Sequence, residues 1–342
     1  MEIISDSRIF PYISIVIPCY NERSTIRYLL EAINVQTYPR EKLEIVVVDG
    51  LSTDGTREII QAFQQERGDL DIQLINNPKR TIPEAMNAGI RAARGAVVVR
   101  LDAHCTVAKD YLDLVAAKLE TTDAACLGPR MIMKPVDTPI ARAIAAALST
   151  PFGPGTSSFR FSDKEGEADT MNFGVYRRWI FEQAGYFDTQ LMSNEDYDLH
   201  YRIRKTGNRI LYVPSLMVFY QPRESYAALW KQYWRYGYWK SQMSKKDWRS
   251  LRIRHLVAPG WVLALIVGFA AGIFIPAILP YLAGLISLYL FVGLMFAIRQ
   301  VIKTKEWHTI PLIMLCFIIL HAAWGAAFWV GWFIRPAKGS MT

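Results

Sequence analysis

Val16-Ile17-Pro18-Cys19-Tyr20-Asn21-Glu22 closes a β-branched run, Ile13 to Ile17, and leads into a helix-patterned segment, Thr25 to Gln36. The same step recurs down the chain. Leu43 to Val48 is followed by Asp54 to Arg67, Ile72 to Ile75 by Ile82 to Ala93, and Ala96 to Leu101 makes a fourth apolar run. Short strands alternating with helices are the signature of βαβ units, so the pattern predicts an α/β fold with a mainly parallel sheet. Tyr20, Asp49 and Asp102 each fall just past the carboxyl end of a strand. That edge is where open α/β sheets bind ligands.

Beyond residue 254 the composition changes. The 342-residue chain is 51% apolar, which excludes a disordered protein. Leu256 to Ile298 and Thr309 to Ile334 contain no Asp, Glu, Lys or Arg. A hydrocarbon core about 30 Å thick needs roughly 20 apolar helical residues. The first stretch is broken by Pro276 and Pro280, so three transmembrane helices are expected, near 256–275, 279–298 and 309–334. Buried core helices would share the apolarity, but not charge-free runs of this length. The expected domains are a catalytic domain over 1–224, an amphipathic interfacial helix over 225–254, and a membrane domain over 255–335.

Charge sets an expected orientation. Lys245, Lys246, Arg249, Arg252 and Arg254 precede the first span, and Arg299, Lys303 and Lys305 separate the second from the third. The excess of basic loops on one side puts the N-terminal domain in the cytoplasm, with Arg335 and Lys338 opposing on the far side. The net charge of +8 fits anionic lipid head groups, since much of it lies beside the membrane, and no nucleic-acid motif accompanies it. Met1 to Tyr12 lacks the apolar core of a signal peptide. Cys19, Cys105, Cys126 and Cys316 show neither metal-ligand nor disulfide spacing and read as reduced packing residues.

Four motifs follow in order: the opening heptapeptide, Val47-Val48-Asp49-Gly50, Arg100-Leu101-Asp102-Ala103-His104, and Asn194-Glu195-Asp196-Tyr197-Asp198-Leu199. Together they resemble the family 2 inverting glycosyltransferases, and within them the ExoA-type exopolysaccharide glucosyltransferases. The resemblance covers most of the chain. It implies a GT-A nucleotide-sugar fold attached to a bacterial or archaeal cytoplasmic membrane.

Moving a sugar from a nucleotide diphosphate requires a grip on the nucleotide, neutralisation of the departing diphosphate, and a base for the attacking hydroxyl. The Tyr20 ring could stack on a flat base or simply pack. The resemblance favours stacking, with Pro18 and Glu22 of the same motif also at the substrate. Asp49 opens the polar turn Gly50 to Gly55, where its carboxylate could accept from a uracil or ribose edge; Asp54 is better placed to cap the next helix. Arg80, beside Lys79, could meet ribose or phosphate, or be one of a solvated pair.

Asp102-Ala103-His104 stands where the family usually has an Asp-x-Asp metal motif. Ligands at i and i+2 past a strand can face one diphosphate, and imidazole at His104 suits Mn²⁺ better than Mg²⁺. Glu195 and Asp196 open a helical segment running to Lys205, preceded by Gly174-Val175-Tyr176-Arg177-Arg178. Adjacent carboxylates repel, which can push one toward the range of a general base, while an acidic first helical turn would read the same way. The family pattern makes Asp196 the base, gives Glu195 an orienting role, and puts Gly174 at the substrate.

Gln232-Tyr233-Trp234-Arg235-Tyr236 resembles the Gln-x-x-Arg-Trp motif of membrane polysaccharide synthases, with Tyr236 in place of Trp. That likeness puts Arg235 at the diphosphate and Tyr236 and Gln232 near the acceptor. Trp230, Trp234 and Tyr238 at helical spacing also fit an aromatic belt at the bilayer surface, and both readings can hold. The specificity loops are expected within Gly128 to Asn172, including a Gly/Pro/Ser stretch at Thr150 to Ser158.

The expected activity is inverting transfer of one sugar, from UDP-glucose or a relative, to a polyprenyl-diphosphate-linked acceptor. A processive synthase is the first alternative, although such enzymes usually enclose their polymer with helices on both sides of the catalytic domain. A catalytically inert nucleotide-sugar or lipid-binding scaffold is the second.

Overall fold

The computed structural model describes residues 10–155 and 162–334. The expectations that rest on Met1 to Ile9, on the far end of the Thr150 to Ser158 stretch, and on Arg335 and Lys338 lie outside those residues. The chain opens with β1 (Ile13–Cys19), α1 (Ile26–Asn34), β2 (Leu43–Asp49), α2 (Thr56–Glu66), β3 (Asp71–Asn76), α3 (Ile82–Ala92) and β4 (Val97–Arg100). Then come β5 (Cys105–Val107), α4 (Tyr111–Glu120), β6 (Cys126–Met133), α5 (Pro139–Leu148), β7 (Gly166–Glu167), β8 (Val175–Arg177), α6 (Ile180–Ala184), α7 (Glu195–Lys205) and β9 (Ile210–Tyr220). Four long helices follow: α8 (Tyr226–Lys246), α9 (Ile253–Phe274), α10 (Leu279–Thr304) and α11 (Ile310–Phe333).

The strands lie in the order β3-β2-β1-β4-β8-β6-β9-β5, with β7 on β9. β3, β2, β1 and β4 are mutually parallel, and β8 joins β4 in the antiparallel sense. β1 and β2 are mostly apolar because both of their faces are covered, with buried Ser14 and Glu44 bonded to each other across the two strands. Ile13, Ile15, Val16, Ile17, Val46, Val47 and Val48 are all wholly buried. The register pairs Cys19 with Asp49, and Val16 with Arg100. The parallel strands therefore deliver Tyr20, Asp49 and Asp102 to one sheet edge. At the back of that edge α3 lies so close to β1 that a Cβ at Gly89 would collide with Val16.

The chain forms two compact units. The first holds the described chain up to Met131, with Ser162–Thr189 and Leu199–Phe219, and contains the sheet. The second takes the segment that starts at Ile132, then Gln190–Asp198, then the chain from Tyr220 on. The first turn of α7 thus belongs to the second unit.

Within the second unit, α5, α8, α10 and α11 share a core of Ala143, Ile144, Leu148, Leu229, Ile313, Phe317 and Leu320 among others. Three helices, Ile253–Phe274, Pro276–Ile302 and Trp307–Phe333, are long and apolar enough to cross a membrane. In lipid no hydrophobic force drives helices together, so close backbone approach between small residues does that work. A Cβ at Gly237 of α8 would collide with the Trp324 carbonyl of α11, and one at Gly331 of α11 with Ser241 of α8. Gly325 makes the same kind of approach to Ala258 of α9.

Candidate active site

In the first unit the loops after β1 and β2 are sewn together by hydrogen bonds. The Asn21 amide donates to Ser52 Oγ (2.8 Å), the Thr53 amide to Asn21 Oδ1 (3.0 Å), and the Glu22 amide to Thr56 Oγ1 (2.8 Å). Asn21 has a left-handed backbone (φ 54°), a conformation that Asn tolerates better than most residues. Asp54 Oδ1 accepts from the Thr56 amide at the start of α2 and Oδ2 from the Arg23 amide, so it ties both loops as well as serving the helix start.

Tyr20 stands out from this seam, 43% exposed. The Arg80 guanidinium lies 5.3 Å from the Tyr20 ring centroid and its Nε donates to the Gly50 carbonyl (3.1 Å). Arg80 also takes a left-handed backbone (φ 56°). Gly50 is required here, because a Cβ would press on the Tyr20 ring at 2.9 Å. Tyr20 and Arg80 therefore form one exposed aromatic and cationic platform over the buried Gly50, suited to a flat base beside a phosphorylated sugar.

Asp49, by contrast, has no exposed surface. Its Oδ1 accepts from Ser52 Oγ (2.5 Å), and its Oδ2 from the Ser52 amide (3.0 Å) and Arg57 Nη1 (2.6 Å). In this arrangement the carboxylate organises the Gly50 to Gly55 turn. Ser52 and Arg57, which sequence reasoning passed over, are its partners. Pro18 lies within β1, its residue partner Val48.

Past β4, Asp102 accepts from Arg100 Nε (3.0 Å) and His104 Nδ1 meets Glu22 Oε1 (3.0 Å). Glu22 thus orients the imidazole as a carboxylate does behind a metal-ligating histidine. Among the described residues no group of three or more His, Cys, Asp or Glu side chains could hold a metal ion. Asp102 and His104 offer oxygen and imidazole donors two residues apart, a pair of the kind that suits a divalent cation whose other ligands would come from elsewhere.

Beneath this edge, the Gly174 carbonyl accepts from the Arg100 amide (3.0 Å), and the space beside its Cα is filled by the Tyr176 ring. Tyr176 OH meets Nε2 of the wholly buried His200 (3.0 Å), and Thr170 Oγ1 meets its Nδ1 (3.3 Å). Burial, then the charges of Arg204, Arg100 and Arg202, push the imidazole down to about 3, so it stays neutral. Nothing in the sequence marks His200, since a single histidine in a helix is most often a packing residue. The cysteines are free and buried, and burial pushes the Cys19, Cys105 and Cys126 thiols up.

In the second unit the acidic turn sits on α8. Asn194 takes a left-handed backbone (φ 60°), and its Nδ2 donates to the Tyr236 carbonyl (3.0 Å). Glu195 and Asp198 are buried, whereas Asp196 is partly exposed. Of the Glu195–Asp196 pair, Asp196 is therefore the more exposed carboxylate. Its Oδ1 accepts from the Tyr197 amide (2.6 Å). On α8, Gln232 Nε2 donates to Tyr236 OH (3.0 Å), Trp230 and Trp234 stack with centroids 6.0 Å apart, and Arg235 is exposed. The Asn194 bond thus brings the acidic turn and the Gln232–Tyr236 motif together. Asn194 opens the fourth motif, and an Asn directly before an acidic helix start is the sequence signal that marks it.

A mixed, mostly parallel sheet presenting an aromatic, basic and acidic edge, followed by apolar helices, fits a nucleotide-sugar transferase of the GT-A class. The family model for glycosyl transferase family 2 matches residues 14–184, and the chain belongs to that family. It is a hexosyltransferase of glycan biosynthesis. It is 30% identical over 327 residues to the succinoglycan biosynthesis protein ExoA of Rhizobium meliloti, covering 92% of this chain and 93% of that one. It is 29% identical over 312 residues to the dolichyl N-acetyl-α-D-glucosaminyl phosphate 3-β-D-2,3-diacetamido-2,3-dideoxy-β-D-glucuronosyltransferase of Methanococcus voltae, covering 90% of this chain and 93% of that one. Among solved structures, a mannosyltransferase of Pyrobaculum calidifontis in complex with GDP-Man and Mn²⁺ shares the fold, with a TM-score of 0.60 at 21% identity over 93% of this chain and 88% of that one.

Proposed function

We propose that this protein transfers a single sugar, with inversion, from a nucleotide diphosphate sugar to a lipid-linked saccharide acceptor at a membrane surface. The observation that carries the reading is the Asn194–Tyr236 bond, which fixes the turn bearing Asp196 to the helix that leads into the membrane-crossing segments. A base held there meets acceptors whose sugars stand at the bilayer interface. The Methanococcus relative, whose name gives a dolichyl-phosphate-linked acceptor, supports the same chemistry. UDP-glucose or a relative is the proposed donor, and a polyprenyl-diphosphate-linked sugar the proposed acceptor.

In this reading Tyr20 stacks on the nucleobase and Arg80 reaches ribose or phosphate. Asp196 takes the proton from the acceptor hydroxyl, and the resulting oxygen attacks the anomeric carbon from the face opposite the diphosphate. One base and no protein nucleophile give inversion. Exposed Arg235 stabilises the departing diphosphate, while Glu195 holds the turn. A divalent cation at Asp102 and His104, Mn²⁺ before Mg²⁺, would neutralise the diphosphate charge, in keeping with the Mn²⁺ in the Pyrobaculum structure. The basic flanks of the apolar helices support a cytoplasm-facing catalytic domain.

The test is nucleotide release by detergent-purified protein across a panel of UDP- and GDP-sugars, with Mn²⁺ or Mg²⁺, and with or without polyprenyl-diphosphate-sugar lipids. Lipid-stimulated release from one donor, lost in Asp196→Asn, is the expected result. Donor binding with no release under any combination would sink it in favour of a scaffold, and long products on a sizing gel would replace single transfer with processive synthesis.

A further inference from the structure

Lys240 of α8 has no exposed surface. Its Nζ lies 3.1 Å from the centroid of the Tyr197 ring and 3.6 Å from Met243 Sδ. Burying an ammonium costs several kcal/mol unless the surroundings compensate it, and an apolar side chain of the same volume would pack there more cheaply. A buried cation therefore needs an electrostatic reason, and one stands beside it. The first turn of α7 carries Glu195, Asp196 and Asp198 within four residues, two of them buried. Like charges so close repel, and a positive charge next to the turn offsets that repulsion.

Tyr197 is the link between the two. Its ring lies on Lys240 and edge-on to His255 of α9 (5.1 Å between centroids), and its hydroxyl donates to the Ser250 carbonyl (3.2 Å). The amide of the same residue donates to Asp196 Oδ1. A ring held on two sides and at its hydroxyl restrains the Tyr197 backbone, and with it the amide that meets the Asp196 carboxylate. We infer that Lys240 is a positioning residue: its buried ammonium, acting through the Tyr197 ring and amide, holds the Asp196 carboxylate in its working orientation. This inference rests on the proposal that Asp196 is the base.

The test compares Lys240→Met, Lys240→Arg and Asp196→Asn in the full-length protein in detergent. Two readings are taken: release of UDP from UDP-glucose with a polyprenyl-diphosphate-glucose lipid, and hydrogen exchange of the Tyr197 amide by mass spectrometry. Loss of a desolvated cation–π contact predicts a fall of about 10-fold in kcat for Lys240→Met with the donor KM unchanged, together with faster exchange at Tyr197. Lys240→Arg, which keeps the cation, should recover most of both. Unchanged exchange in Lys240→Met, or equal losses in the Met and Arg variants, would overturn the inference. Full release by Asp196→Asn would instead remove the base assignment, and the exchange result would still judge the clamp. If Lys240→Met does not fold, Tyr197→Leu removes the contact from the other side. It should lower kcat to a similar extent at constant donor KM, and an unchanged kcat would contradict the inference.

Discussion

The sheet edge and the acidic turn are held in place by different means. At the sheet edge Asp49 is fixed by partners three and eight residues away, Ser52 and Arg57. At the turn, Asn194 reaches 42 residues to Tyr236, and Tyr197 reaches 53 residues to Ser250. A strand end followed by a tight polar loop carries its own supports. The first turn of a helix, standing alone, does not, so its geometry is lent by α8 and α9. On the proposed function, the nucleotide grip is thus built locally, whereas the base that meets a lipid-linked acceptor is held by the helices long and apolar enough to cross a membrane and by α8 before them.

The contrast predicts that damage to the turn appears in kcat and damage to the sheet edge in donor KM. The largest effect should come from Asp196→Asn, with kcat lower by roughly 1000-fold and the donor KM within a factor of about three, as expected for loss of a general base. A rise in KM with kcat preserved would erase the distinction. Tyr20→Ala should act in the opposite sense, raising the donor KM by about 10- to 30-fold with a smaller loss of kcat, in line with the worth of stacking on one base. Nucleotide titration by calorimetry checks it.

Asn194 sharpens the comparison further. Asn194→Ala loses the bond to Tyr236 and strains the left-handed backbone, while Asn194→Gly loses only the bond. A kcat about 10-fold lower in the Ala variant, with the Gly variant recovering the strain component of about 1 kcal/mol, would separate the two contributions. Equal kcat in both variants would mean that the backbone conformation carries no cost.

The smallest effect concerns His200 and stability. Because its folded value, about 3, lies below the ordinary 6.5, the unfolded chain binds a proton there that the folded chain does not. Stability should fall as pH drops below about 6.5, by roughly 1.4 kcal/mol at one unit below, and go on falling toward pH 3. Thermal melts of the native protein and His200→Gln should converge as the pH is lowered. Parallel melting curves at every pH would refute the assignment.

The same contrast explains what could be read in the chain. The α/β alternation, the strand ends bearing Tyr20, Asp49 and Asp102, and the three apolar spans were all legible, because each depends on local periodicity or on composition. The supports were not. Nothing in the sequence around Lys240 distinguishes it from Lys231 of the same helix, which is exposed, because the burial of Lys240 depends on what α8 packs against. Nor does the run Ala143 to Leu148 announce that α5 belongs with the helices after Tyr220 rather than with the sheet. Asp49 shows the limit from the other side: its position was legible, but not that its carboxylate turns inward to Ser52 and Arg57.

The glycine contacts between α8 and α11 also bear on the order in which the chain is made. The strands of the first unit can pair as soon as their own chain has emerged from the ribosome. The turn that carries Asp196 leans on α8, and α8 finds its register only when Gly331 meets Ser241 and Trp324 meets Gly237. On the proposed function, a newly made molecule whose α11 is not yet in place would hold a nucleotide sugar before it has an aimed carboxylate.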